Sequence, residues 1–168
     1  MQFELRDWQP QYAQSLAESA NDVRITRFLR DSFPSPYLYQ DAAAYIAFAK
    51  EEEKRGGLYR AIASEGRVIG GLSLSRGSDV YCKSGELGYW LSPAYWGKGI
   101  MTRALKLFCG QVFSETDIVR IGAEVFAGNA ASCRVLEKCG FQKEGMMRKS
   151  VYKNGLFDDA VLYALVRE

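Results

Sequence analysis

The stretch SPAYWGKGIMTRAL, residues 92–105, places bare backbone immediately before a run with helical spacing. Gly97 and Gly99 lie on either side of Lys98 in this turn. The first amides of a helix have no partner within it, and they carry a partial positive charge. Two glycines would let a ligand approach those amides without Cβ obstruction. The stretch predicts either a phosphate site at a helix N-terminus or a tight turn that needs only positive φ.

Two familiar phosphate-binding motifs do not fit this turn. The P-loop pattern G-x-x-x-x-G-K-[ST] is absent from the chain. The dinucleotide-binding fingerprint needs a third glycine three residues after Gly99, where Thr102 stands. The chain also lacks the repeated strand–helix–strand alternation of that fold. A different nucleotide-bearing ligand is left open.

The composition is that of a globular chain, and its 168 residues most simply form one domain, 1–168. A net charge of +2 with both signs interspersed argues against nucleic-acid binding. No apolar run approaches the ~20 residues of a membrane span. The first ten residues lack the apolar stretch of a signal peptide. We expect a cytoplasmic protein with no membrane partner.

The chain contains no histidine, which excludes Ser-His-Asp and Cys-His catalysis and argues against a zinc site. No metal is therefore expected. Any proton transfer must use a carboxylate, a tyrosine, a hydroxyl or a water. The cysteines show no C-x-x-C spacing and are expected to be reduced thiols; they are Cys82, Cys109, Cys133 and Cys139.

The predicted elements run in the order strand, two helical regions, three strands, helix, strand, helix and hairpin. This order favours an α/β (α+β) fold with a mixed, mostly antiparallel sheet and helices on both faces. An Asn154-Gly155 turn of type I′ is expected in the final hairpin. The predicted strands are 3–6, 58–64, 68–76, 86–92, 120–126 and the hairpin within 146–166; the predicted helices lie near 12–20, 41–55, 99–113 and 129–139.

ELGYWLSPAYWGKGIMTRAL (86–105) together with GNAASCRVLEKCGF (128–141) resembles the Gcn5-related N-acetyltransferase (GNAT) superfamily. Within it, the chain is similar to the ribosomal-protein N-acetyltransferase-like (RimJ/RimL-type) branch. The family phosphate signature is Q/R-x-x-G-x-G/A. Here Trp96 replaces the polar first residue, as is usual in that branch, and Met101 replaces the final small residue. The resemblance spans nearly the whole chain and is weakest from Asn21 to Tyr39.

The resemblance implies the acyl-CoA N-acyltransferase fold and acetyl-CoA as co-substrate. In such proteins the strands at 86–91 and 121–126 splay apart, and the pantetheine arm pairs with the exposed backbone. Leu91 would contact the cofactor near its acetyl group, and Asn129 and Ser132 would meet it near the sulfur. The pyrophosphate would be held by the turn residues Trp96, Gly97, Lys98, Gly99, Ile100, Met101 and Thr102.

Two residues are candidate catalytic groups by this resemblance. Glu86 would accept the ammonium proton through a water, or it is an ordinary ion-pairing glutamate. Ser132 would protonate the leaving thiolate, or it is a first-turn helix hydroxyl. Some relatives carry a glutamate in the final hairpin where this chain has Val151, so that base is not transferred. Asp158 is expected to make a structural hydrogen bond, or else to orient a cationic substrate.

The resemblance implies direct attack of a primary amine on acetyl-CoA within a ternary complex. The acceptor is left open between a protein N-terminus and a small molecule such as an amino acid, polyamine or antibiotic. Residues 21–39 would form much of the acceptor wall. The alternative is a non-catalytic acyl-CoA-binding sensor on the same fold, and a homodimer is left open.

Overall fold

The computed structural model describes residues Met1–Glu168. Its strands are β1 (Glu4–Arg6), β2 (Leu58–Ser64), β3 (Arg67–Arg76), β4 (Ser84–Leu91), β5 (Arg120–Phe126), β6 (Gln142–Lys153) and β7 (Leu156–Val166). They form one seven-stranded sheet in the order β1-β2-β3-β4-β5-β7-β6. Only β4 and β5 pair in parallel, and every other neighbouring pair is antiparallel. The predicted mixed, mostly antiparallel sheet is confirmed.

Helices cover both faces of the sheet, as the order of elements predicts. They are α1 (Ala13–Ala20), α2 (Val23–Thr26), α3 (Tyr39–Lys54), α4 (Ile100–Glu115) and α5 (Ala130–Lys138). One core of 12 buried residues joins α1 and α3 to one face through side chains such as Leu16, Ile46 and Tyr59. A second core of 22 buried residues joins α4 and α5 to the other face through Phe108 and Leu136, among others.

Two tight hairpin turns fix the register of their strands. Asn154 and Gly155 have φ of 51° and 77°, so both central residues adopt the left-handed conformation that a type I′ turn requires. The prediction for the β6–β7 turn is confirmed. Glu65 and Gly66, at 51° and 75°, make an equivalent turn between β2 and β3.

Two predicted element boundaries are wrong by a few residues. The third helix begins at Tyr39, before Asp41, and the Asp41 carboxylate accepts the Leu38 N–H at 2.8 Å from inside the first turn. Strand β6 begins at Gln142, because Gln142 already pairs with Ala164 of β7. Its first residues are exposed on an edge strand, so they give no alternating apolar signal in the sequence.

Candidate active site

Strands β4 and β5 pair only at their beginnings. The paired residues end at Glu86 and Gly122, although β4 continues to Leu91 and β5 continues to Phe126. The Ser92 N–H donates to the Ile69 carbonyl of β3 at 2.8 Å, so the alternation of an antiparallel ladder turns the Leu91 peptide groups toward β5. The sheet therefore contains a gap edged by main-chain donors and acceptors, and the predicted splay is confirmed.

The turn before α4 requires glycine at two positions. Gly97 has φ of 72° and Gly99 has φ of 69°, both in the left-handed region where a side chain is strained. A Cβ atom built on either residue would have no heavy atom within 4 Å. The backbone therefore needs glycine at both positions, and the space outside the turn is open.

The amides of this turn and of the first turn of α4 have no partner in the protein. No N–H from Gly97 to Thr102 donates to a backbone carbonyl or to a side chain, and the first such bond runs from the Arg103 N–H to the Gly99 carbonyl at 3.2 Å. Six consecutive free donors at a helix N-terminus make a candidate anion site, because the helix dipole adds to their partial charges.

The side chains of the turn brace it against the end of β4. The Trp96 indole Nε1–H donates to the Leu91 carbonyl at 2.7 Å. The Lys98 ammonium donates to the Ala94 carbonyl at 2.9 Å and lies 5.4 Å from the centroid of the Tyr95 ring. These contacts keep the turn beside the gap between β4 and β5.

The first three residues of α4, Ile100, Met101 and Thr102, differ in which of their groups are open to the candidate anion site. The side chains of Ile100 and Met101 are buried in the core under α4, so only their amides face the anion site. Thr102 is half-buried in the same first turn, and no hydrogen bond engages its hydroxyl. Burial of Met101 explains why a large residue is accepted where the family signature has a small one.

The start of α5 brings two hydroxyl groups together. The Asn129 side-chain oxygen accepts the Ser132 N–H at 3.2 Å, which confirms Asn129 as the N-cap. The Ser132 hydroxyl lies 2.5 Å from the Tyr89 hydroxyl of β4. Burial raises the pKa of the Tyr89 phenol, so it remains protonated and can donate.

A cavity of about 550 Å³ lies on the α3 side of the sheet, beside the gap. Its floor contains Glu86, Gly88 and Trp90, which share one face of β4. Its walls come from the α2–α3 loop (27–38) and from the end of β6. Val151 lines it at the position where some relatives carry a glutamate.

Glu86 faces a second carboxylate across the gap, and an arginine lies between them. The Arg30 Nη2 atom of the α2–α3 loop is 2.6 Å from a Glu86 oxygen and 3.4 Å from a Glu124 oxygen. The sequence reasoning missed Arg30 and Glu124. Gly122 pairs with Glu86, and Glu124 two residues further along β5 has the same parity, so both carboxylates lie on one face of the sheet. No sequence pattern around Arg30 predicts that it lies at this site.

A second cation anchors the same loop from the opposite side. The Lys153 ammonium of β6 donates to the Leu29 carbonyl at 2.5 Å and to the Asp31 carboxylate at 3.0 Å.

Asp158 of β7 accepts the Asp159 N–H at 2.8 Å and the Gly128 N–H at 3.4 Å. Its carboxylate therefore has the structural role that was expected, at the loop after β5.

No three Cys, Asp or Glu side chains lie close enough to share a metal ion. None of the helices is both long enough and apolar enough to cross a bilayer.

Comparison with known proteins identifies relatives of this chain. The family model described as "Acetyltransferase (GNAT) domain" matches residues 2–142. The probable N-acetyltransferase YjcK of Bacillus subtilis is 41% identical over 117 residues, which are 70% of this chain and 64% of YjcK. The putative ribosomal N-acetyltransferase YdaF of the same organism is 33% identical over 111 residues, 66% of this chain and 60% of YdaF. The match thus spans less than two thirds of either relative.

Among solved structures, the ribosomal L7/L12 alpha-N-protein acetyltransferase RimL in complex with coenzyme A has the same fold. The TM-score is 0.89 at 24% identity, and the alignment covers 98% of this chain and 94% of RimL. This likeness confirms the predicted acyl-CoA N-acyltransferase fold.

Proposed function

The chain belongs to the acetyltransferase (GNAT) domain family, and we therefore propose that it transfers an acetyl group from acetyl-CoA to a primary amine. The reaction proceeds by direct attack in a ternary complex. Within the family, the chain is of the RimJ/RimL-type branch. Acetyl-CoA is a co-substrate of this reaction.

One observation carries the proposal: the six free amides of residues 97–102 lie at one end of a sheet gap whose other side opens into a cavity. A diphosphate fits the amides because they supply convergent donors with a favourable dipole. A pantetheine arm fits the gap because its amides can replace the missing β4–β5 hydrogen bonds. The cavity then receives the acceptor at the acetyl end.

We assign the cofactor contacts as follows. The Leu91 N–H is the donor next to the thioester carbonyl, because the strand alternation turns it toward the gap. Trp96 and Lys98 act by bracing the turn. Asn129 and Ser132 meet the sulfur end from the start of α5. The diphosphate is bound by the amides of Gly97, Lys98, Gly99, Ile100, Met101 and Thr102.

The two candidate proton-transfer groups act on opposite faces of the sheet. Glu86 points into the cavity, and Tyr89, three residues along β4, has opposite parity and reaches Ser132 of α5. Glu86 accepts a proton from the acceptor ammonium through a water, and the neutral amine then attacks the thioester carbonyl. The tetrahedral oxyanion is stabilised by the Leu91 N–H, and such a donor typically contributes about 3 kcal/mol.

Collapse of this intermediate breaks the carbon–sulfur bond, and the thiolate takes a proton from the Ser132 hydroxyl. The Tyr89 hydroxyl at 2.5 Å gives its proton to Ser132 in the same step, and the tyrosinate regains a proton from solvent through Ser132 once coenzyme A leaves. The attacking nitrogen releases its surplus proton to solvent through the water beside Glu86, and Glu86 returns the proton that it accepted to the same water. Holding both reactants in one gap contributes on the order of 7–11 kcal/mol to catalysis, so no covalent enzyme intermediate is needed.

For the acceptor, we propose the α-amino group of a protein N-terminus. The support is the name of a relative, since the Escherichia coli ribosomal-protein-serine acetyltransferase is 30% identical over 62% of this chain. The open cavity has room for the first residues of a polypeptide. Such an acceptor would place the reaction in the cytoplasm.

Thiol release from acetyl-CoA, measured against a panel of amines, tests the proposal. The panel contains a serine-first peptide amide, free amino acids, a polyamine and an aminoglycoside, and coenzyme A binding is measured in parallel by calorimetry. Turnover is expected with at least one amine and is expected to be fastest with the peptide. Saturable coenzyme A binding without turnover on any amine would instead identify an acyl-CoA sensor.

A further inference from the structure

Arg30 occupies the place in the cavity where an acceptor ammonium would be expected. Its Nη2 atom alone reaches both carboxylates of the floor, Glu86 at 2.6 Å and Glu124 at 3.4 Å. These carboxylates come from the two strands that part at Glu86 and Gly122, so they flank the gap. A cationic nitrogen held between them lies at the point where the gap meets the cavity.

We propose that Arg30 is an internal counter-ion that competes with the acceptor and selects against acceptors carrying more than one positive charge. The inference rests on the proposed function and refines its substrate class. With Arg30 in place, two carboxylates and one guanidinium leave one net negative charge on the floor. A monocationic N-terminus matches that charge, whereas a polyamine would bring further cations against the guanidinium.

The other charges that line the cavity do not alter this balance. Asp31 and Lys153 line the wall and pair with each other at 3.0 Å, so their charges cancel. The Lys153 side chain is only 16% exposed and also donates to the Leu29 carbonyl. This anchor keeps the α2–α3 loop in position, and with it the backbone that carries Arg30.

The Arg30 guanidinium can be displaced without unfolding the loop. Its side chain is 66% exposed, and the Glu86 side chain is 53% exposed. An ion pair at such exposure changes an equilibrium by at most about fivefold, since water and salt screen it. A single acceptor ammonium can therefore bind beside the Arg30 guanidinium or replace it between the two carboxylates. The contacts of Lys153 with the loop remain intact when this happens.

The test compares Arg30→Gln with Arg27→Gln in the protein saturated with coenzyme A. Arg27 lies in the same loop, is exposed, and contacts the Phe28 ring rather than a carboxylate. Calorimetry measures the Kd of spermidine and of a serine-first peptide amide without charged side chains. Arg30→Gln is expected to tighten spermidine binding about fivefold relative to the peptide at low salt, and added salt is expected to erase the gain.

Arg27→Gln is expected to leave the ratio of the two Kd values unchanged, and Arg30→Lys is expected to keep it near the wild-type ratio because the charge is retained. Equal ratios in Arg30→Gln and Arg27→Gln would overturn the inference, as would the absence of spermidine binding to every variant. Failure of the proposed function is separate, because it would show as no wild-type turnover of any amine.

Discussion

Gly97 and Gly99 each meet two requirements that another residue type would not meet together. Their φ values of 72° and 69° favour glycine, and the space beyond them is empty of protein atoms. If only the φ value required glycine, the residue would have a structural role alone. If only the space beside it were open, another residue type could replace it. The combination, beside six free amides, is what an anion-binding turn needs.

Gly99→Val, compared with the control Gly66→Val, separates the effect of backbone strain from the effect of filling the open space beside the amides. Gly66 has φ of 75° and equally open surroundings, but it lies in the β2–β3 turn, remote from the site. Both variants are expected to lose about 1–2 kcal/mol of unfolding free energy through backbone strain. Only Gly99→Val is expected to weaken acetyl-CoA binding, by about tenfold or more, in calorimetry. Unchanged acetyl-CoA affinity in Gly99→Val would refute the assignment.

Glu86→Gln tests the proposed base. Turnover is expected to fall by about a hundredfold or more, because general-base catalysis contributes on that scale, while acetyl-CoA affinity stays unchanged. The pH dependence of kcat/KM is expected to change as well. Glu51→Gln is the matched control, since Glu51 is exposed on α3 and pairs only with Lys54. A wild-type pH–rate profile in Glu86→Gln would remove Glu86 from the mechanism.

At the scale of elements, the site depends on the angle between β4 and β5 and on the two helices that follow them. The strands pair over three residues each and then diverge, so their free edges face each other across the gap. Helix α4 brings its free amides to one end of the gap, and α5 brings the Ser132 hydroxyl beside it. The free amides and the Ser132 hydroxyl thus each come from the beginning of a helix, whereas Glu86, Tyr89 and the Leu91 N–H come from β4.

Asn129→Ala is predicted to loosen the beginning of α5. Loss of the hydrogen bond from the Ser132 N–H is expected to cost about 1 kcal/mol of unfolding free energy. Turnover is expected to fall because the Ser132 hydroxyl loses its fixed place beside Tyr89. Asn129→Asp keeps an acceptor oxygen and is expected to retain both properties, as measured by denaturant unfolding and thiol release. Equal stability of Asn129→Ala and wild type would contradict the capping role.

At the scale of the whole molecule, two cores on opposite faces hold the sheet rigid on both sides of the gap. The 22-residue core under α4 and α5 supports the cofactor side, and the 12-residue core under α1 and α3 supports the cavity side. The α2–α3 loop contributes Tyr37 to the 12-residue core, but its exposed part around Arg30 is held by ion pairs and by the Lys153–Leu29 contact. We expect the acceptor side to be the more adaptable of the two.

Cysteine reactivity reports on this packing in the intact protein. Burial raises the pKa of the Cys109 thiol to about 12, so at pH 8 it is protonated as well as shielded. Cys82 is exposed. A disulfide reagent at pH 8 is expected to modify Cys82 rapidly, the half-buried Cys133 and Cys139 more slowly, and Cys109 only upon unfolding, and Cys82→Ser is expected to remove the fastest phase alone. Rapid modification of Cys109 in the folded protein would show that the core under α4 is open.

Most of the elements and the glycine turn before α4 could be predicted because their signals are local. Periodicity marks α4, the Asn154-Gly155 pair specifies its turn, and Asn129 caps α5 from within its own segment. The Arg30–Glu86–Glu124 cluster could not be predicted, because it joins a loop without periodicity to strands that are distant in sequence. The Tyr89–Ser132 contact likewise depends on the tertiary packing of α5 against β4.

The account depends most on the claim that the amides of residues 97–102 bind a diphosphate. Amide chemical shifts of the isotope-labelled protein, followed during separate titrations with coenzyme A and with pantetheine, test it directly. Coenzyme A is expected to move the amide protons of Gly97 through Thr102 downfield as they donate to phosphate oxygens, and pantetheine is expected to leave them in place. Saturation with coenzyme A without movement of these resonances, or equal movement with pantetheine, would contradict the claim.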